Sequence, residues 1–211
     1  MLMIGDAGPK YSDFGFACVL SYLKGKFFMK NQHIGKLVLA ALFLALAYVF
    51  PFVTGQVPTI GNMLCPMHIP VLLCGFVCGW QYGGAVGLVA PLLRSLTLGA
   101  PVLFPRAVCM SLELCTYGAV VGLMFFLLPK KIPYIYVSLV TAMLAGRLIW
   151  GGAMFLCLLP GETQFGFAAF AAGAFFNAIP GILLQLVLIP PVVVALKRAG
   201  LIQGQNEKHI A

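Results

Sequence analysis

Charged side chains are scarce in this sequence: they make up 9% of its 211 residues, and only five of them are acidic. A soluble domain typically carries about a quarter charged residues. With 62% hydrophobic residues and a mean hydropathy of +1.03, the chain has too little polar surface to cover a particle in water. A membrane-spanning helix takes roughly 20 apolar residues, so about six such helices account for most of the chain. The composition predicts an all-α, polytopic membrane protein, a bundle of six transmembrane helices.

The sequence also lacks the motifs of common catalytic chemistry. It contains no G-x-S-x-G nucleophile motif, no H-E-x-x-H zinc motif and no pair of acids placed for proton transfer. The phosphate-binding motif G-x-x-x-x-G-K-[ST] is missing as well, so this chain does not hydrolyse ATP itself. We therefore predict a protein that is not an enzyme and needs no cofactor. If it is an active transporter, its energy comes from partner proteins or from an ion gradient.

Neither the basic charge nor the cysteines predict another class of partner. The net charge is +8, but the basic residues stand in short clusters beside apolar runs, which is typical of membrane proteins rather than nucleic-acid-binding proteins. The seven cysteines lie mostly inside apolar segments, where a reduced cysteine packs as a small hydrophobic residue. Cys74 and Cys78 share a helix face, yet no second Cys/His pair is spaced to complete a metal site. We expect neither a metal ion nor a nucleic acid.

Apolar stretches separated by proline- and glycine-rich connections predict the positions of the helices. They are expected at residues 36–52, 63–80, 82–98, 107–128, 133–160 and 167–196. These helices form one transmembrane domain at residues 36–198, between a cytoplasmic leader at 1–35 and a cytoplasmic tail at 199–211. Residues before Met29 are interpreted as an over-extended start, a disordered tail, or an amphipathic segment on the cytoplasmic membrane surface.

Clusters of basic residues predict the orientation of the bundle. Lysines precede the first predicted helix, Lys130 and Lys131 lie between the fourth and the fifth, and Lys197 and Arg198 follow the sixth. The positive-inside rule assigns all of these places to the cytoplasmic side. That assignment requires an even number of spans, so both termini are expected in the cytoplasm.

Ionisable side chains inside a bilayer are costly, so each one raises a functional question. In the predicted orientation, His68, Arg94 and Glu113 lie about five residues below the outer ends of their helices, roughly 8 Å deep. Arg147 and Asn177 lie nearer the midplane, and the inner halves of the helices hold almost no polar groups. This asymmetry predicts a cavity that opens outward.

Two interpretations of the buried charges stay open. Glu113 forms an internal salt bridge with Arg94 or Arg147 that merely ties helices together, or the charged groups bind a ligand. Two arginines against one glutamate leave an excess positive charge, which the carboxylate or phosphate of a ligand would neutralise. Tyr117 and Trp150 either line the same cavity or pack in the core.

Several motifs are similar to those of one family of membrane proteins. Ala41-x-x-x-Ala45 makes a strip of small residues in the first predicted helix, where another helix can approach closely. Further motifs follow at residues 67–76 (MHIPVLLCGF), 79–83 (GWQYG), 91–95 (PLLRS) and 113–118 (E-L-x-x-Y-G). Through these motifs the chain resembles, over residues 29–198, the substrate-binding (S) components of energy-coupling-factor vitamin transporters.

The resemblance implies a six-helix subunit in a bacterial cell membrane that binds a water-soluble vitamin at the outer side, under a lid of extracellular loops. It also implies a transmembrane coupling (T) subunit and two ATPase subunits as partners, docked through Ala41 and Ala45. A metal substrate is not expected, because the chain lacks the Met-x-His-type N-terminus of the nickel and cobalt branch. The polar positions and the resemblance together predict the substrate-binding residues Gln56, His68, Arg94, Glu113, Tyr117, Arg147, Trp150 and Asn177.

The substrate and two other classes of function stay open. The excess of arginine favours an anionic vitamin. The region from Met67 to Leu73 resembles subunits assigned to pantothenate, which carries a carboxylate; folate, cobalamin and other vitamins or precursors are the alternatives. A stand-alone, ion-coupled carrier of a small anionic metabolite usually shows an internal repeat, and the two halves of this chain show no convincing similarity. An intramembrane enzyme that uses His68 and Glu113 would lack an activated nucleophile.

Overall fold

The described part of the chain is helical. The computed structural model describes residues 32–53, 66–129, 131–158, 179–199 and 202, and it has no strand among them. A short π-helical turn, Leu103–Ala107, leads directly into the fourth α-helix. The six α-helices of the described residues are α1 Gln32–Val53, α2 His68–Cys78, α3 Trp80–Leu98, α4 Val108–Leu127, α5 Ile132–Leu158 and α6 Ile179–Arg198.

Each of these helices coincides with one of the predicted apolar stretches. Within the described ranges, four segments are long and apolar enough to cross a membrane: His33–Phe52, Leu103–Leu127, Ile132–Cys157 and Ile179–Arg198. The described part of α2 has 11 residues and so rises about 16 Å, roughly half of a bilayer core. The all-helical class is thus confirmed, whereas six complete spans and the position of both termini stay predictions.

The chain divides into two compact units, Met1–Val38 and Leu39–Ala211. The described residues of the first unit form the opening turns of α1. The second unit contains the rest of α1 and all of the later helices, and it carries the candidate site.

A single glycine connects α2 to α3. Gly79 has φ 99° and ψ 174°, a backbone conformation that residues with a side chain rarely adopt. Its amide still donates to the carbonyl oxygen of Gly75 at 3.2 Å, and its own carbonyl oxygen accepts from the amide of Gly83 at 3.0 Å. Because one residue makes the whole turn, α2 and α3 are held at a fixed angle.

α3 and α4 make the most extensive contact between helices in the described structure, and glycines bring their backbones together. A Cβ atom added to Gly83 would lie 2.7 Å from the carbonyl oxygen of Gly118, and one added to Gly87 would overlap the backbone of Leu114. Gly118 in turn faces the backbone of Gly83. We call Gly83, Gly87 and Gly118 the glycine seam. Its backbone-to-backbone approach is the close packing that small residues permit in membrane helices.

Two apolar clusters lie on opposite faces of α2. One face belongs to a cluster shared with α1 and α3, which contains Phe43, Ala47, Val71 and Cys74. The other face packs against α4, α5 and α6, and there Phe76 contacts Phe125 edge-on, with ring centroids 5.2 Å apart. Many large apolar side chains lie outside both clusters, among them Leu96 and Val187, each 73% exposed. An outer surface of this kind suits a lipid environment.

Candidate functional site

The candidate site is built around the carboxylate of Glu113 on α4. Glu113 is 3% exposed, and its Oε1 atom accepts a hydrogen bond of 3.0 Å from the hydroxyl of Tyr117, one turn further along the helix. The Nη1 atom of Arg147 on α5 lies 3.2 Å from the same oxygen. A buried carboxylate is stable only when such partners compensate its charge. The pair therefore links α4 to α5 inside the apolar bundle.

His68, the first residue of α2, completes this group. Its Nε2 atom lies 3.6 Å from Glu113 Oε1, too far for a hydrogen bond, and its ring centroid is 5.2 Å from that of Tyr117. The side chain is 2% exposed, and neither ring nitrogen has a hydrogen-bond partner among the described residues. His68, Glu113, Tyr117 and Arg147 together are called the carboxylate cluster below; they come from three helices.

A glycine makes room for the cluster. A Cβ atom on Gly146 would overlap the ring of Tyr117 and would lie 3.1 Å from the backbone carbonyl oxygen of Glu113. The missing side chain lets α5 approach α4 at the level of Tyr117, and the next residue along α5 is Arg147. The local sequence Gly146-Arg147 thus provides both the close approach and the charge that meets Glu113.

Arg94 occupies a different environment from Arg147. Its Nε atom donates a 3.2 Å hydrogen bond to the carbonyl oxygen of Ala100, just beyond the end of α3. The guanidinium carbon lies 5.6 Å from the centroid of the Phe52 ring, a cation–π distance. The two arginines that the sequence left as alternative partners of Glu113 are therefore distinguished: the described structure pairs Glu113 with Arg147.

The remaining predicted residues are placed as follows. Trp150 is half-buried on α5, three residues after Arg147. Ala41 and Ala45 are both exposed, and they lie one turn apart on α1. Gln56 and Asn177 lie outside the described residues. Substrate binding by Gln56, Trp150 and Asn177 stays a prediction, as does partner docking through Ala41 and Ala45.

Sequence reasoning missed a buried amide side chain. Gln185 on α6 is 2% exposed, and its Oε1 atom has no hydrogen-bond partner within the described part of the chain. Its signal is the same one that marked the ionisable residues, a polar side chain in a long apolar stretch.

Sequence reasoning also missed a cysteine pair. The Sγ atoms of Cys109, near the start of α4, and Cys157, near the end of α5, lie 3.8 Å apart. No group of three or more His, Cys, Asp and Glu side chains among the described residues is arranged to hold a metal ion.

Comparison with known proteins identifies the class of this bundle. Residues 35–193 match the family model of the ECF transporter, substrate-specific component. Comparisons with curated proteins and with solved structures give no significant match. The matched segment contains all six described helices almost entirely, together with the carboxylate cluster. Members of this family are transport proteins in membranes rather than enzymes. The chain belongs to the family of substrate-specific components of ECF transporters.

Proposed function

We propose that this protein captures a water-soluble vitamin at the outer side of a bacterial cell membrane and delivers it through an ATPase-driven coupling module. One observation carries the proposal beyond family membership. A buried carboxylate, an arginine, a tyrosine and a histidine meet inside a bundle whose core is mostly apolar. Polar clusters of this kind within membrane-spanning segments are expensive, and they usually mark substrate pathways.

The proposed ligand is an anionic vitamin, with pantothenate as the first candidate. The buried residues Arg94 and Arg147 carry two positive charges, and Glu113 supplies one negative charge among the described residues. A carboxylate on the ligand would balance the remaining positive charge, and a guanidinium group binds a carboxylate with two parallel hydrogen bonds. Pantothenate offers one such carboxylate.

The first experiment is native mass spectrometry of the detergent-purified protein. A co-purified vitamin, at one molecule per chain, would support the proposal and identify the substrate. A protein that remains empty after incubation with a panel of water-soluble vitamins would contradict it. Proton-driven uptake by the lone protein in liposomes would instead favour a stand-alone carrier.

The proposed partners are a transmembrane coupling subunit and two ATPase subunits, with both termini of this chain in the cytoplasm. Ala41 and Ala45 are exposed on α1, so they leave a flat surface that a partner helix can approach. Ala41→Trp is expected to abolish ATP-dependent uptake and to leave vitamin binding intact. Leu42→Trp, at the neighbouring exposed position, is the matched control and should retain uptake. If Ala41→Trp weakened binding as much as uptake, α1 would not be the docking helix.

A further inference from the structure

The charges of the two buried arginines are balanced differently. Glu113 is the only acidic residue in the described part of the chain, and it lies 3.2 Å from Arg147. Arg147 and Glu113 therefore form a neutral pair. The charge of Arg94 has no acidic partner among the described residues.

The surroundings of Arg94 hold one edge of its guanidinium group in place. The Nε atom donates to the carbonyl oxygen of Ala100 at 3.2 Å, and the group lies 5.6 Å from the centre of the Phe52 ring. The residue is 8% exposed, yet its Nη1 atom is buried and has no hydrogen-bond partner within the described ranges. Near the end of α3, the guanidinium group of Arg94 is therefore held in one orientation, and its buried Nη1 atom donates to no described residue.

A buried guanidinium group is stable when an anion compensates it and its donors are satisfied. For Arg94, the carbonyl oxygen of Ala100 and the ring of Phe52 supply neither an anion nor a partner for every donor. Carboxylate and phosphate groups match the fork of a guanidinium group, because two of their oxygens accept from two of its nitrogens. We infer that Arg94, and not Arg147, binds the anionic group of the transported ligand and sets the preference for charged over neutral ligands. This inference rests on the proposed function.

A purely structural role for Arg94 makes a different prediction. Its hydrogen bond to Ala100 lies at the carboxyl end of α3, where a cation stabilises the helix terminus. If that were its whole role, removal of the charge would lower the melting temperature and would weaken anionic and neutral ligands equally. Discrimination between charged and neutral ligands is therefore the decisive measurement.

The test uses matched pairs of ligands with the purified full-length chain. Each pair differs in one ionised group: pantothenate and panthenol, biotin and biotin amide, nicotinate and nicotinamide. Wild-type protein is expected to bind the anionic member of its preferred pair at least about 30-fold more tightly, the low end of what a buried charge pair contributes. Arg94→Gln should remove this difference and leave the affinity for the neutral member unchanged.

Two variants serve as controls. Arg106→Gln removes an exposed arginine from the π-helical turn and should preserve the discrimination. Arg94→Lys retains the charge without the planar fork, so it should fold if Arg94→Gln does not, and it should discriminate less than wild type.

The outcomes separate this inference from the proposed function. Binding of a vitamin with an undiminished preference for the anion in Arg94→Gln would overturn the inference and leave the proposed function standing. If wild-type protein bound both members of a pair equally, the inference would also be overturned and the proposed function would still stand. If no member of any pair binds, and no other vitamin of the wider panel binds either, the proposed function fails and the inference fails with it.

Discussion

The pairing of Glu113 with Arg147 leads to a quantitative prediction about stability. Glu113→Gln removes the carboxylate but retains an acceptor for the hydroxyl of Tyr117, and Arg147→Gln removes the cation. Each single variant removes one member of the ion pair that the described structure shows and leaves the other member buried. The double variant leaves neither charge, so it should be far less destabilised than the sum of the single variants.

The magnitude follows from the geometry. At 3.2 Å between Nη1 and Oε1, two unit charges attract by about 5 kcal/mol at an effective dielectric constant of about 20. Breaking a buried pair by removing one partner typically costs about 3–5 kcal/mol. We expect Glu113→Gln near the upper end of that range. Arg147→Gln should lie near the lower end, because Tyr117 still donates to the carboxylate.

The assay is equilibrium unfolding of the detergent-solubilised protein by titration with SDS, for wild type, both single variants and the double variant. The double variant should be less destabilised than either single variant, which gives a coupling energy of at least about 3 kcal/mol. Arg106→Gln, at an exposed position, should change the free energy of unfolding by less than about 0.5 kcal/mol. Additive effects of the two single substitutions would refute the pairing.

Three further predictions concern close contacts between helices. Gly118→Ala should lower the free energy of unfolding by more than about 3 kcal/mol, since its Cβ would overlap backbone that cannot move aside; Gly152→Ala, with nothing within 4 Å, is the neutral control. Gly146→Ala should cost about 1–3 kcal/mol and weaken ligand binding, because it displaces the ring next to the site; unchanged binding would contradict that. Oxidation with copper phenanthroline should join Cys109 and Cys157 in a disulfide with the loss of two hydrogen atoms, which peptide mass mapping detects; a wholly reduced pair would show that the sulfur atoms do not meet.

The helical class, the positions of the six helices and the residues of the carboxylate cluster could be predicted from the sequence. Apolar stretches of sufficient length are rare outside membrane helices, so composition and breakers located α1 to α6 within a few residues wherever their ends are described. Counting residues from the predicted membrane surface placed His68 and Glu113 at the same depth, and the structure brings them to 3.6 Å. Depth depends on the position along a helix, which the sequence gives directly.

The rotation of each helix about its axis could not be predicted in this way. Whether Glu113 meets Arg94 or Arg147 depends on the faces that α3, α4 and α5 turn toward one another, and uniformly apolar helices give weak signals of which face points inward. The same limit hid the approach of Cys109 to Cys157, two cysteines 48 residues apart in the sequence. Close approaches through glycine accompany these rotations, and the sequence does not show which of the 24 glycines make them.

The glycine seam between α3 and α4 has a consequence for motion. Most helices associate by restricting side chains to single rotamers, which costs conformational entropy. The glycine seam has no side chains to restrict. Because its contacts are between backbones, a change of side-chain rotamer cannot rearrange them. We therefore expect α3 and α4 to move as one rigid hairpin. Any rearrangement that accompanies loading and release should then occur where side chains, not backbones, form the contact.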